Sequence, residues 1–170
     1  MAEVTQLIKR KKDKNYLFMN TGTVAVPAWV RDTKSTDFAI AYNPQTQTYD
    51  FISDALPSTE TESFQPSIDR TLSCYIGEPL YDYLIAKARN FAMGSDAETQ
   101  IMLVYQETNG ESGSGLANLA DKFDVSLEWG TDDMVAGTLT YKVALKGTPT
   151  KGTATIDATG KPVFSPTVTP

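Results

Sequence analysis

The sequence predicts a mainly β protein, an antiparallel β-sandwich or barrel with one flanking α-helix. Apolar and polar residues alternate over several short segments, most regularly at 123–129 and 139–145, and this period of two is typical of strands with one buried face. Turns rich in glycine, proline and asparagine separate about eight such segments. Residues 79–92 instead have apolar side chains at three- and four-residue steps, which indicates one amphipathic helix. Many short strands with a single helix favour a sandwich or barrel.

The first clear pair of strands is predicted to form a β-hairpin. Residues 37–42 alternate, residues 43–46 have the composition of a turn, and residues 48–52 are β-prone and complete the hairpin. Residues 53–63 contain Pro57, acids and hydroxyl side chains but few apolar ones. This composition predicts a long loop, and loops of that length usually have a function or are disordered.

A long half-buried strand is predicted after this loop. Ile68, Leu72, Cys74 and Ile76 share one face of it, and Arg70 is the charged residue that interrupts that face. Cys74 is then most simply a core residue, because an unpaired cysteine packs as a small apolar side chain.

The predicted helix begins at Pro79, since proline fits the first helical turn, where no backbone N–H is needed. Gly94 predicts its end. Its apolar face is formed by Leu80, Tyr83, Leu84, Ala88 and Phe91.

The second half of the chain predicts the remaining strands. Residues 99–106 form a dense apolar run that indicates a central strand, and residues 130–133 predict a turn between the two regularly alternating segments. Trp129 falls on the dry face of its strand. A last strand pair is predicted at 153–157 and 162–164.

Charge and composition predict a basic N-terminal arm at 1–15, a single β domain at 16–165 and a C-terminal tail, rich in threonine and proline, at 166–170. Residues 1–14 hold five basic and two acidic side chains, a charge of +3, whereas the rest holds ten basic and nineteen acidic ones, a charge of −9. The negative charge of residues 15–170 argues against nucleic-acid binding driven by phosphate neutralisation. The arm is either a solvated segment or a contact for nucleic acid or an acidic neighbouring subunit.

The composition removes most of the common catalytic chemistry. The chain has no histidine and one cysteine, which excludes Ser–His and Cys–His nucleophiles and zinc sites built from those residues. Two carboxylate pairs remain, Asp132 with Asp133 and Glu60 with Glu62, and adjacent acids on turns are usually solvated or bind calcium weakly. We therefore expect a protein that is not an enzyme and needs no cofactor. The unpaired cysteine and the lack of an export signal at the N-terminus predict folding in a reducing cytoplasm.

The order of segments between residues 39 and 90 carries a family resemblance. It runs from AYNPQTQTYDFI (41–52) through the acidic STETES (58–63) and FQPS (64–67) to GEPLYDY (77–83). This order resembles the major tail proteins, or tail tube proteins, of bacteriophages with long non-contractile tails.

The resemblance implies a structural role and a set of partners. Such subunits form hexameric rings whose sheets join into an inner barrel, and the rings stack around a tape-measure protein. Tail terminator and distal tail proteins would cap the tube, and genomic DNA would pass through the lumen only transiently. The implied location is the virion tail, assembled in the cytoplasm of the bacterial host and without a membrane contact.

Two groups of site residues follow from this expectation. Acidic side chains on the polar faces of strands are candidates to line the lumen, where they would repel DNA, although each of them fits a solvated outer surface as well: Asp50, Asp69, Asp124 and Glu128. Contacts between subunits or rings are expected from the basic arm and the acidic loop, which have opposite charge: Lys9, Arg10, Lys11, Lys12, Asp54, Glu60 and Glu62.

Three alternatives stay open on the sequence alone. The nearest is the inner-tube protein of a contractile tail or of an injection system, which shares the fold. A monomeric immunoglobulin-like or carbohydrate-binding sandwich is the second, and an exposed tryptophan, for which only Trp29 is a candidate, would favour it. A carboxylate-dependent hydrolase is the third.

Overall fold

The computed structural model describes residues 12–105 and 118–167, and it confirms a mainly β fold with a large antiparallel sheet and one α-helix. Eight strands form one sheet in the order β2-β1-β7-β8-β9-β6-β3, with β10 also paired to β9, while β4 and β5 form a separate two-stranded sheet. Within the described ranges the strands are β1 Asn15–Asn20, β2 Trp29–Arg31, β3 Ala39–Ala41, β4 Pro44–Tyr49, β5 Ser58–Phe64, β6 Ser67–Ser73, β7 Glu98–Tyr105, β8 Asn118–Asp133, β9 Thr138–Ile156 and β10 Pro162–Pro166. The helix α1 is Pro79–Arg89, and 3₁₀ turns lie at Lys12–Lys14 and Gly94–Ala97.

One chain segment connects the two edges of the large sheet and gives it a barrel-like shape. After β2, the Asp32 N–H donates to the Leu17 carbonyl of β1 at 2.9 Å, whereas the Thr36 N–H donates to the Thr71 carbonyl of β6 at 3.0 Å. Ser35 also forms an isolated bridge with Leu72. Among the described residues no ladder joins β2 directly to β3, so the sheet is curved but not closed.

The main core lies between the helix and one face of this curved sheet. Leu80 and Leu84 of α1 pack with Leu103, Val125 and Val143 from the three central strands, and all five are buried. A second, smaller apolar cluster forms on the opposite face: Phe18, Met102, Val104, Ala120 and Ala154. Strand β7 contributes to both clusters, which explains why its sequence is a continuous apolar run rather than an alternation.

The helix ends three residues before the predicted boundary at 92. Phe91 takes a left-handed φ of +50°, its N–H donates to the Ala88 carbonyl at 3.0 Å, and the Ala92 N–H donates to the Lys87 carbonyl at 3.1 Å. These two bonds form a Schellman motif, which stops a helix by satisfying its last carbonyls. The prediction of Phe91 on the apolar helix face is therefore wrong: its side chain is 79% exposed.

The predicted hairpin of 37–42 with 48–52 and the predicted loop at 53–63 are both wrong. Asn43 has a φ of +44° but does not reverse the chain. Its side-chain amide donates to the Gln65 carbonyl at 3.1 Å and the Gln65 N–H donates to the Asn43 carbonyl at 3.2 Å. The chain therefore continues from β3 into β4, and the returning strand is β5 at Ser58–Phe64. We call β4, β5 and the residues between them the β4–β5 hairpin.

Two further boundaries differ from the prediction. Strand β6 ends at Ser73, so Ile76 lies in the following loop and is 97% exposed. The turn predicted at 130–133 lies instead at 134–137, because β8 continues to Asp133 through a register irregularity and Gly137 takes a φ of +65°. The later strands are confirmed with one difference. The segments predicted at 139–145 and 153–157 belong to the single strand β9, and β10 lies antiparallel to its end.

Candidate assembly surfaces

The β4–β5 hairpin is exposed along both of its strands. Its own side chains hold it together: the Tyr49 hydroxyl donates to Glu62 Oε1 at 2.9 Å, the Tyr49 and Phe51 rings stack at 5.8 Å, and the hydroxyls of Thr48 and Thr59 lie 3.1 Å apart. An isolated two-stranded hairpin is marginally stable in water. This hairpin therefore becomes more stable if another protein surface covers it.

The tip of this hairpin is both apolar and acidic. Phe51, Ile52 and Leu56 are 56%, 109% and 79% exposed. Residues 44–64 contain four acidic side chains and no lysine or arginine: Asp50, Asp54, Glu60 and Glu62. The predicted contact residues Asp54, Glu60 and Glu62 are thus exposed on this hairpin. Exposed apolar side chains grouped in this way are typical of an interaction site.

Three of the four predicted lumen residues share one face of the large sheet. Asp69, Asp124 and Glu128 are exposed on the face opposite the main core, because they alternate with buried residues of β6 and β8. Asp50 is separate from them, since it follows β4 in the two-stranded sheet. This face thus brings together carboxylates that are far apart in sequence.

Lysines on β9 stand opposite these carboxylates. Lys142 is in register with both Asp69 and Glu128. Lys146 is in register with Asp124 and also forms an exposed salt bridge with Glu98 of β7. Opposite charges across neighbouring strands stabilise a sheet by about 0.2–1 kcal/mol per pair. These lysines were not predicted as site residues, although their alternation with Leu139, Tyr141, Val143 and Leu145 places them on this polar face.

Both tryptophans are half-buried and pack against apolar clusters. Trp129 lies on the core side of β8, as predicted, and its indole N–H donates to the Ala92 carbonyl at 3.1 Å. Trp29 packs against the second cluster. Neither side chain forms an open platform of the kind on which sugar rings stack.

The carboxylate pair at Asp132 and Asp133 has a local structural role. Asp133 accepts the backbone N–H groups of Val135 and Ala136, each at 2.9 Å, and these bonds lower the pKa of its carboxyl. Asp133 therefore fixes the β8–β9 turn. Glu62 of the other pair accepts the Tyr49 hydroxyl. Across residues 12–105 and 118–167 no group of three potential metal-ligating side chains comes together.

A buried ionic cluster, which the sequence did not predict, holds the segment between β2 and β3 against the sheet. We call this segment, which connects the two sheet edges, the crossing segment. Arg70 is 4% exposed and its guanidinium binds the fully buried carboxylate of Asp32, with Nε donating to Oδ2 at 3.1 Å. Ser35 donates its hydroxyl to the same carboxylate at 2.6 Å, and Asp37 accepts the Thr71 N–H at 2.7 Å. The sequence signal was present, because Arg70 is the charged residue on an otherwise apolar strand face.

Tyr141, in the core near this cluster, provides a test at alkaline pH. Burial, and then the negative charge of Asp32, raise the pKa of its phenol well above the usual range. The folded protein therefore keeps this proton above a pH of about 10, where an unfolded chain loses it. We expect stability from the neutral phenol to be complete below that pH and to fall as the pH rises towards the folded pKa.

Tyr141→Phe should remove the part of the alkaline loss of stability that this phenol causes. The slope of the unfolding free energy against pH should become less steep by up to about 1.4 kcal/mol per pH unit. The measurement is urea unfolding of both proteins between about pH 8 and pH 11. Equal slopes of unfolding free energy against pH for the two proteins would contradict the expectation.

Three strand edges of the large sheet are open in the described part of the chain. β2 and β3 each pair on one side only, and β10 pairs only with β9. β10 starts and ends with a proline, Pro162 and Pro166, and proline blocks further pairing at those positions. The short edges of β2 and β3 are thus the better candidates for pairing with another chain.

The basic arm falls largely outside these surfaces. Lys9, Arg10 and Lys11 lie outside the described residues, and Lys12 begins the first 3₁₀ turn. The expected contact between the arm and the acidic segment therefore stays a prediction. β1 begins at Asn15 and β10 ends at Pro166, and the last residues of the predicted tail, 168–170, are also outside the described part.

Comparison with known proteins gave no relative: no protein-family model matches the sequence, and no curated protein matches it significantly. No helix in residues 12–105 and 118–167 is long and apolar enough to cross a membrane.

Proposed function

We propose that this protein is a structural subunit that assembles with copies of itself into stacked rings, the tail tube of a long-tailed bacteriophage. The observation that carries the proposal is the β4–β5 hairpin. Its tip presents Phe51, Ile52 and Leu56 to solvent, and its strands have no core of their own. In an assembly, a neighbouring subunit covers this hairpin. Each of the three exposed apolar side chains then contributes about 1.5–3 kcal/mol to the free energy of assembly when it is buried.

The sheet edges support the same proposal. Strands with unpaired backbone groups are a liability in a monomer, and closed symmetry removes that liability by pairing edges between neighbours. β2 and β3 each have one unpaired edge, and in a ring such an edge pairs with an edge of a neighbouring subunit. In a tube of this kind the tape-measure, tail terminator and distal tail proteins are the further partners that the family resemblance implies, in a virion tail.

The charged sheet face is the better candidate for the lumen. Strand register places four carboxylates on it, together with four basic side chains: Asp69, Glu98, Asp124 and Glu128, with Arg31, Lys122, Lys142 and Lys146. A lining without net positive charge does not hold the phosphate backbone, so DNA passes without binding. The two lysines of β9 that stand opposite carboxylates also stabilise the sheet.

Two observations bear on the alternatives. An immunoglobulin-like or carbohydrate-binding module is less favoured, because Trp29 and Trp129 are half-buried and the exposed aromatic residues are spread over several separate parts of the chain. The inner tube of a contractile tail or injection system fits the same surfaces, and a sheath protein that binds the tube would identify it.

Electron microscopy of the purified protein at low and raised concentration tests the proposal. Rings or tubes with an open lumen are expected at the higher concentration, since assembly follows mass action. If assembly does not start by itself, a preformed tail tip added to the same sample serves as the seed. A protein that stays monomeric at high concentration, and with that seed, contradicts the proposal.

A further inference from the structure

Four apolar side chains are exposed on two neighbouring turns at one end of the sheet. Ile76 and Val135 are 97% and 99% exposed, and Tyr75 and Met134 beside them are 58% and 86% exposed. The two turns are held together by the Cys74 N–H, which donates to the Gly137 carbonyl at 2.8 Å. We call the four apolar residues the end patch. Turns usually carry polar residues, so a grouped apolar surface here indicates a contact site.

Acidic side chains surround the end patch. Asp132 and Asp133 precede Met134, and Glu78 and Asp82 follow Ile76 in the chain. The charges of Asp132 and Asp82 both act on Tyr81, where they add to burial in raising the pKa of its phenol. This places the two carboxylates at the same end of the molecule. Two basic residues lie near them: Lys34, whose ammonium is 5.3 Å from the Tyr75 ring centre, and Arg89, whose charge also acts on Tyr81. A ligand for this surface therefore combines apolar and basic residues.

The N-terminal segment of the chain has that composition. Val4, Leu7 and Ile8 are apolar, and they are followed directly by the basic run at 9–12. We infer that residues 4–12 of a second copy of this chain dock on the end patch, rather than on the acidic segment expected from the sequence. The apolar residues would lie on Ile76 and Val135 and the basic ones beside the acidic rim. The inference rests on the proposed function, because the contact joins two subunits.

Distance excludes docking within one subunit. Asn15 is paired with Tyr105, Tyr105 with Leu119, and Leu119 with Thr153 of β9. The end patch lies at the other end of β9, beside Thr138. The two ends are thus fifteen residues apart, which is up to about 50 Å along the strand. Leu7 is five residues before Lys12 and lies at most about 18 Å from it when the chain is fully extended.

The contact therefore joins subunits head to tail. The segment leaves one end of the sheet and its docking surface lies at the other end, so each subunit offers one half of the contact to a neighbour on either side. The β4–β5 hairpin also departs from ends of β3 and β6 that point away from the end patch, at Ala41 and Ser67. A heterologous contact of this kind repeats without limit along an axis, as stacking of rings requires.

Disulfide trapping between two chains that each carry a single cysteine tests the inference. Both carry Cys74→Ser, which removes the natural thiol; one carries Leu7→Cys and the other, labelled with ¹⁵N, carries Val135→Cys. After assembly and mild oxidation, a mixed Leu7→Cys–Val135→Cys dimer is expected as the main product. It should exceed the product with Val163→Cys by about tenfold or more, because docking raises the effective concentration of the two thiols. Val163 is a matched control, since it is also apolar and 54% exposed.

Electron microscopy of the same samples separates the two possible failures. Tubes without the mixed dimer overturn the inference and leave the proposed function standing. Tubes in which Leu7→Cys links instead to Ile52→Cys also overturn it and assign the segment to the β4–β5 hairpin. A Cys74→Ser parent that is folded but forms no rings or tubes contradicts the proposed function and the inference together.

Discussion

Replacing Arg70 with methionine is expected to lower the free energy of unfolding by about 3–5 kcal/mol, the usual cost of removing one partner from a buried ion pair. Arg70 is 4% exposed and Asp32 is fully buried. Methionine fills much of the same space but leaves the Asp32 carboxylate without its cation. Chemical denaturation monitored by fluorescence measures the loss.

Two comparisons make this result specific. Arg89→Met, in the exposed last turn of α1, should cost no more than about 1 kcal/mol, because it removes only a favourable interaction with the helix dipole. Arg70→Met combined with Asp32→Asn should recover part of the loss, because no charge is then left buried. If Arg70→Met costs no more than Arg89→Met, the ionic cluster does not hold the crossing segment in place.

The position of Arg70 also shows how far the sequence predicts the fold. Strands with one dry face were located within a few residues, because burial imposes a strict alternation on them, as at Val125 and Leu127. Arg70 interrupts such an alternation, and its partner Asp32 lies 38 residues earlier in the chain. Residues this far apart meet only through the curvature of the sheet, which no local pattern specifies. The sequence therefore marks Arg70 as unusual without identifying its partner.

The β4–β5 hairpin was missed because its strands lack the apolar alternation that marks a half-buried strand. β5 alternates threonine with glutamate at 59–62, so both of its faces are polar and the pattern has no apolar period to detect. Its strand conformation depends on threonine propensity and on pairing with β4. The same lack of buried residues makes this hairpin a candidate contact. The acidic residues Glu60 and Glu62 were thus placed on an exposed segment, as the structure has them, but with the wrong local structure.

For the candidate lumen residues, the sequence predicted which strand face they occupy but not which side chains stand beside them on the neighbouring strands. Alternation correctly placed Asp69, Asp124 and Glu128 away from the core, but only the register shows that Lys142 stands between two of them. Asp50 is also acidic, but it lies beside the two-stranded sheet and not on the large one. Cross-strand register depends on the whole sheet, so charge balance on a face is visible only after folding.

Shortening the β4–β5 hairpin is expected to abolish assembly and to leave the folded subunit intact. Gln45 and Ser63 stand opposite each other, so an Asn-Gly turn in place of residues 46–62 joins them with a favourable two-residue reversal. The removed side chains are exposed, apart from the half-buried Tyr49, so the free energy of unfolding should change by less than about 1 kcal/mol. Sedimentation velocity and electron microscopy measure assembly, and denaturation measures the fold.

A milder variant separates the apolar tip from the presence of the hairpin. Changing Phe51, Ile52 and Leu56 to serine keeps both strands but removes the exposed apolar surface. The concentration needed for assembly should rise by more than about tenfold for each apolar side chain replaced, since each of them contributes about 1.5–3 kcal/mol when buried. Gln45→Ser with Gln47→Ser, on exposed positions of β4 away from the tip, is the matched control and should leave that concentration unchanged. If the tip variant assembles as readily as this control, the hairpin contributes to assembly by its shape or charge alone. If the shortened protein also assembles, the hairpin is not the contact that builds the tube.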